Sequence, residues 1–170
     1  MPNSDDQARH TAGFIRLMKH RLRFRMYLLA RLPSAWFSGL RIRDMDGEKC
    51  LITVPFTWFS KNPFRSTYFA CLGMAAEMST GALALAHLFK REPPVSMLVI
   101  KLEAEFYKKA VGRTLFTGAD GQAIRQTIEE AVASGEGRSI RARSVGTNPA
   151  GEKVAEFFIT WSFKTKKIII

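Results

Sequence analysis

Hydrophobic spacing changes character several times along the 170 residues. Over residues 11–32 it is helical. At about 100° per residue, Phe14, Met18, Leu22, Leu28, Leu29 and Leu32 gather on one face, with Arg16, Lys19, Arg23 and Arg31 opposite. Residues 1–10 are polar and are expected to be loose. Pro33 should end the helix, with a turn over 35–39. Residues 40–44 and 48–56 then read as strands joined by the Asp46-Gly47 hairpin signal. In the second, Cys50, Ile52, Val54 and Phe56 alternate with Leu51, Thr53 and Pro55, as one buried face requires.

Residues 57–67 carry Asn62-Pro63 and read as a loop. The next stretch, 68–89, is different in kind. Apolar and small residues occupy every side of it, which predicts a helix buried all round. Strands are expected over 95–107, 113–119, 138–145 and 153–163, with a short amphipathic helix over 122–133. The strand over 95–107 has a polar face of Ser96, Lys101, Glu103 and Glu105. The fold class is therefore α+β: one domain over 1–170, with its core over 40–165. A helix apolar on all sides needs a strongly curved antiparallel sheet to enclose it.

This order of elements resembles the hot-dog superfamily, whose sheet wraps a central helix. The chain resembles phenylacetyl-CoA-type thioesterases and an uncharacterised family of comparable chains. In the thioesterase pattern an Asn is followed three residues later by Gly, and His-Gly-Gly begins six residues after the Asn. An acid stands nine residues after the His. Asn62 matches the Asn and Glu77 the acid, whereas Arg65 replaces the first Gly and Tyr68-Phe69-Ala70 replaces His-Gly-Gly. The resemblance implies an acyl-thioester hydrolase with Glu77 as general base or nucleophile and Asn62 assisting. Backbone amides near Phe69 and Ala70 would polarise the carbonyl oxygen, because N–H groups at a helix start lack helical acceptors. Tyr68 and Arg65 are the candidate substrate contacts. It also implies at least a homodimer, an acyl-CoA or acyl-carrier thioester as substrate, and coenzyme A only as part of that substrate.

Glu77 stands out without the resemblance, as the one charged side chain between Tyr68 and Ala86. A carboxylate in an apolar helix costs several kcal/mol unless paired or protonated. The alternative is a structural carboxylate that faces a solvent crevice or is held by Arg65 or Lys61. His10, His20 and His87 are scattered, and His87 reads as a packed or capping residue. No Gly-x-Ser-x-Gly elbow or Walker A loop is present. Cys50 and Cys71 lack the partners of a zinc site and read as small buried hydrophobes, so no metal is expected.

Composition adds charge to this picture. Lys and Arg number 26 against 15 Asp and Glu, a net +11. Lys108, Lys109, Arg113, Arg138, Arg141 and Arg143 could meet phosphates or an acidic carrier, or could guard strand edges. Nucleic acid is not expected, because no recognised binding motif accompanies the charge. The basic helix over 11–32 leaves peripheral membrane contact open beside plain core packing. The apolar run 26–30 is too short for a span or a secretory core, so a cytoplasmic location is expected. The rival function is a non-catalytic acyl- or lipid-binding hot-dog module.

Overall fold

A computed structural model describes residues 4–166 of the chain. Its elements are α1 (Ser4–Lys19), α2 (Arg21–Arg31), α3 (Pro33–Phe37), β1 (Arg41–Met45), β2 (Cys50–Val54), α4 (Phe69–Leu88), β3 (Val95–Phe106), β4 (Thr114–Gly118), α5 (Gly121–Ser134), β5 (Arg138–Thr147) and β6 (Lys153–Thr165). A single 3-10 turn, Trp58–Ser60, lies between β2 and α4.

The six strands make one antiparallel sheet in the order β1-β2-β4-β5-β6-β3. The strand before α4 and the strand after it thus belong to opposite sides of the sheet, and α4 crosses its inner face between them. Asp46 sets the first hairpin, its Oδ1 accepting the amides of Glu48 at 2.7 Å and Lys49 at 2.6 Å. In β6, Ala155, Phe157, Ile159, Trp161 and Phe163 point into the core. Their alternation is the period of two that one enclosed face demands.

Helix α4 is long and apolar enough to cross a bilayer, yet most of it is enclosed by the domain. It packs against β2, β4, β5 and β6, burying Leu72, Ala75, Ala76, Ser79, Leu83 and Ala86. Small residues let the sheet come close: a Cβ on Gly118 of β4 would stand 2.7 Å from the Ser79 carbonyl oxygen. The Ser79 hydroxyl, 2.7 Å from that of Ser144, is satisfied inside the core. Phe116, Phe157 and Phe163 fill the remaining space. Each contributes roughly 2–3 kcal/mol by leaving water. Helix α5 adds Ile124, Ile128 and Ala131 to the same core.

The N-terminal region departs from expectation. Residues 4–10 are helical, not loose, and the helix expected over 11–32 is two helices broken at His20. His20 is extended (φ −77°, ψ 108°), and its ring accepts the Arg23 amide at 3.4 Å, capping α2. The break resets the helical phase. Phe14 and Met18 are buried from α1, but Phe24 and Leu28 are the buried residues of α2, while Leu22, Leu29 and Leu32 face outward. The turn expected after Pro33 is a short helix with Pro33 at its first position, where a missing N–H has no consequence. Helix α1 is tied to α4 by Gln7, whose Nε2 donates to His87 O at 3.0 Å, and by the Phe14 and Phe89 rings 5.3 Å apart.

Candidate functional site

The loop over 57–67 is held from within. Asn62 Oδ1 accepts the amides of Phe64 at 3.0 Å and Ser66 at 3.1 Å, and its Nδ2 donates to Ser66 Oγ at 3.0 Å. Asn62 therefore shapes the loop as well as lining the groove beside it. Thr67 anchors the far end, its amide and hydroxyl both donating to Ala110 O, at 2.8 and 3.0 Å. Between them Arg65 has φ 59°, the left-handed region that favours glycine. Arg65 thus holds a left-handed backbone at the position where the resembling pattern has glycine.

That loop delivers Tyr68 to the start of α4. Its amide donates to Ser60 O at 2.7 Å, and its carbonyl accepts Cys71 N at 2.9 Å and Leu72 N at 3.3 Å. The Phe69 and Ala70 amides precede these bonds, and no side chain caps the helix. They are the orphan donors at a positive helix end. The Tyr68 and Phe69 rings meet edge to face at 4.8 Å over this end, and both are exposed. Beside them runs an open groove of about 600 Å³ lined by Asn62, Phe64, Tyr68, Phe69, Phe106 and Lys109, among others. Arg65 and Ala70 are not among its lining residues.

Glu77 lies eight residues beyond Phe69, or roughly 12 Å along the helix axis. It is half-buried and has no hydrogen-bond or ion-pair partner among the described residues. Burial pushes its carboxyl above the usual carboxylate range. Its position is set by Gly81 one turn on. A Cβ there would come within 3.1 Å of Glu77 Oε1 and 3.0 Å of the Trp161 indole. Gly73, one turn earlier, faces Phe157 of β6, whose ring a Cβ on Gly73 would meet at 3.6 Å. Glu77 thus sits on a glycine-flanked stripe of α4 turned toward Phe157 and Trp161.

The structural cations considered for Glu77 do not hold it. Lys61 lies over the Phe56 ring at 4.9 Å, and Arg65 is exposed. One chain brings Asn62, Tyr68 and Phe69 to one groove and leaves Glu77 two turns away from the helix start. Sequence reasoning missed Trp161 and Thr80, whose indole N–H to hydroxyl bond of 2.9 Å fixes the ring beside Glu77. A Trp on the inward face of the last strand was the available signal.

The remaining candidates have other roles. His87 is buried, with Nε2 3.2 Å from Gly47 O, and burial holds its pKa below the usual range. Both cysteines are buried and free, and burial pushes the Cys50 thiol up to about 12. Among the described residues no cluster of His, Cys, Asp or Glu is arranged for a metal ion. Lys108 pairs with Glu152 at 2.5 Å and Arg141 with Glu103 at 2.9 Å. Arg143 and Lys153 pair with Glu156, which also accepts the Tyr107 hydroxyl at 3.0 Å.

A curved six-stranded antiparallel sheet around one central helix defines the class: the chain has the hot-dog fold. Solved structures bear this out. It is similar to a Pseudomonas aeruginosa protein of unknown function described as a probable thioesterase, with TM-score 0.73 and 22% identity, over 88% of this chain and 99% of that one. A Chlorobaculum tepidum protein of unknown function gives TM-score 0.68 at 16% identity, over 88% and 99% of the two chains. A Haemophilus influenzae thioesterase gives TM-score 0.62 at 10% identity, over 82% and 88%. No family model matches the chain, and no curated protein matches it in sequence.

Proposed function

We propose that the protein is an acyl-thioester hydrolase that works as a dimer. The observation that carries this reading is Glu77, a half-buried carboxylate without a cationic partner among the described residues, on the helix whose N-terminal end at Tyr68 and Phe69 borders an apolar groove. Such a group is held ready to take a proton from water, or to attack a carbonyl, in place of a structural ion pair. The amides of Phe69 and Ala70 would stabilise the oxyanion.

The separation along α4 is the reason for two copies. Strand β3 pairs with β6 on one side only, and Leu98, Ile100, Leu102 and Phe106 are each more than half exposed. A long apolar edge strand is a template for pairing with another chain. Antiparallel pairing of two β3 strands would continue the sheet. It would set the helix start of one copy against the Glu77 stripe of the other, completing a site that neither holds alone. Lys109, exposed on the groove, supplies positive charge toward coenzyme A or carrier phosphates.

A second reading, an acyl-binding module without turnover, draws on Phe69. Its side chain stands where the resembling enzymes have glycine, so a thioester carbonyl meets a ring near the helix amides. Thiol release from a panel of acyl-CoAs separates the two. Turnover by the wild type that drops at least about a hundredfold in a folded Glu77→Gln variant supports the hydrolase. Acyl-CoA binding with no release at any chain length supports the module.

A further inference from the structure

We infer that the N-terminal helices form a docking surface for an anionic lipid bilayer. Helix α2 is apolar on two opposed sides. Phe24 and Leu28 are buried in the domain, and the opposite stripe of Leu22, Met26 and Leu29 is 68%, 58% and 43% exposed. Spacings of four and three residues put these three in one line. The stripe belongs to no core, and its direction follows from the phase reset at His20.

The apolar surface continues beyond the helix. The Arg25 guanidinium lies over the Trp36 ring at 4.5 Å, Trp36 meets Phe37 at 5.0 Å, and Phe37 stacks on Phe59 at 5.9 Å. Next to Phe59, Trp58 is 88% exposed, the extreme among the exposed large hydrophobic residues. Such a side chain at an exposed turn has an apolar body and one N–H, which suits the boundary between headgroups and acyl chains.

Charge selects the partner. Residues 16–43 contain eight of the chain's 26 cationic side chains and none of its 15 acids. Arg21, Arg25, Arg41 and Arg43 line a groove of about 510 Å³ whose floor includes Met18 and Phe24. Lys19 is engaged with Asp44 at 2.7 Å, which leaves the arginines as its outward charge. An apolar ridge with arginines along its sides matches a surface that offers phosphates at one depth and hydrocarbon just below. An acidic protein helix would answer the charge and leave Trp58 and Met26 in water. The surface lies apart from Glu77, so the inference stands whether or not the chain hydrolyses thioesters.

Flotation with lipid vesicles tests it, using the full-length protein. Vesicles of phosphatidylcholine and phosphatidylglycerol in equal parts should carry the wild type, with binding on the order of tenfold or more weaker on phosphatidylcholine alone. Binding should fall with added salt, and Trp58 should give a blue-shifted emission that Trp58→Ser abolishes. The triple change L22S/M26S/L29S should lose binding at unchanged folding. The pair R21E/R43E guards against a folding artefact, because both side chains are exposed and Glu suits the first turn of α2. It should also weaken binding at least about tenfold. Equal binding to both vesicle types, no binding to either, or wild-type binding by both variants overturns the inference. A concentration-dependent dimer abolished by L22S/M26S/L29S, without lipid binding, assigns the ridge to a second copy and equally overturns it.

Discussion

The Trp161 indole donates to the Thr80 hydroxyl at 2.9 Å, and that bond seats the ring against Gly81 beside the Glu77 carboxylate. A residue from the last strand thereby orients the candidate acid of the central helix. Trp161→Phe keeps the ring and removes the donor. It should cost about 1 kcal/mol in urea denaturation, since the buried Thr80 hydroxyl loses the donor it accepts from and keeps only its own bond to Glu77 O at 3.1 Å. Thiol release should fall with it as Glu77 gains freedom.

Gly81→Ala puts two effects in competition. Alanine favours a helix over glycine by about 1 kcal/mol. Its Cβ, however, would meet Trp161 at 3.0 Å and Glu77 Oε1 at 3.1 Å, in a place where the ring is pinned by Thr80. Overpacking of this kind costs about 1–3 kcal/mol and should win narrowly. The variant should melt slightly below wild type and lose most of any thioesterase activity, because the carboxylate is displaced.

Glu77 should give the protein a pH-dependent weakness. Its folded-state pKa is raised, so the unfolded chain ionises first. Stability is then undiminished below about pH 4.3, the ordinary glutamate value, and declines as pH rises through the raised folded value. Glu77→Gln should match wild type in thermal melts near pH 4 and exceed it near pH 8. An equal gain at both pH values would mean that the carboxylate is not desolvated.

Glu156 should act in the opposite direction. Lys153 and Arg143, with the Tyr107 hydroxyl, hold its carboxyl down at about 2. Its contribution is complete above about pH 4.3 and is lost as pH falls through about 2. Glu156→Gln should therefore cost stability at pH 7, and melting curves of the variant and wild type should converge in acid.

Arg65 tests the strain of a left-handed side chain. A side chain in the left-handed region costs roughly 1–2 kcal/mol, against roughly 0.5–1 for the extra freedom of an unfolded glycine. Arg65→Gly should raise stability by up to about 1 kcal/mol, measured by denaturant midpoint. Arg65→Ala, which keeps the strain, should not.

The sequence alone carried the strands, the central helix and the fold class, because each rests on local spacing. Period two in 153–163 and the absence of a polar face in 68–89 leave few ways to hide the apolar groups. Asn62 and Glu77 were legible as candidates, the first through the resemblance and the second also as a lone charge in an apolar helix. Three things depended on tertiary structure. His20 broke the N-terminal helix through one cap, turning Leu22 and Leu29 outward, whereas continuous periodicity had put them on one face with Phe14 and Met18. Trp161 reached Thr80 across 81 residues, a contact no local pattern encodes. The place of β3 at the edge of the sheet, with Leu98 and Leu102 more than half exposed, followed from the strand order and not from any local pattern. Spacing determines which faces are apolar. Whether an apolar face meets its own core or stays exposed for a partner is decided by how the elements pack.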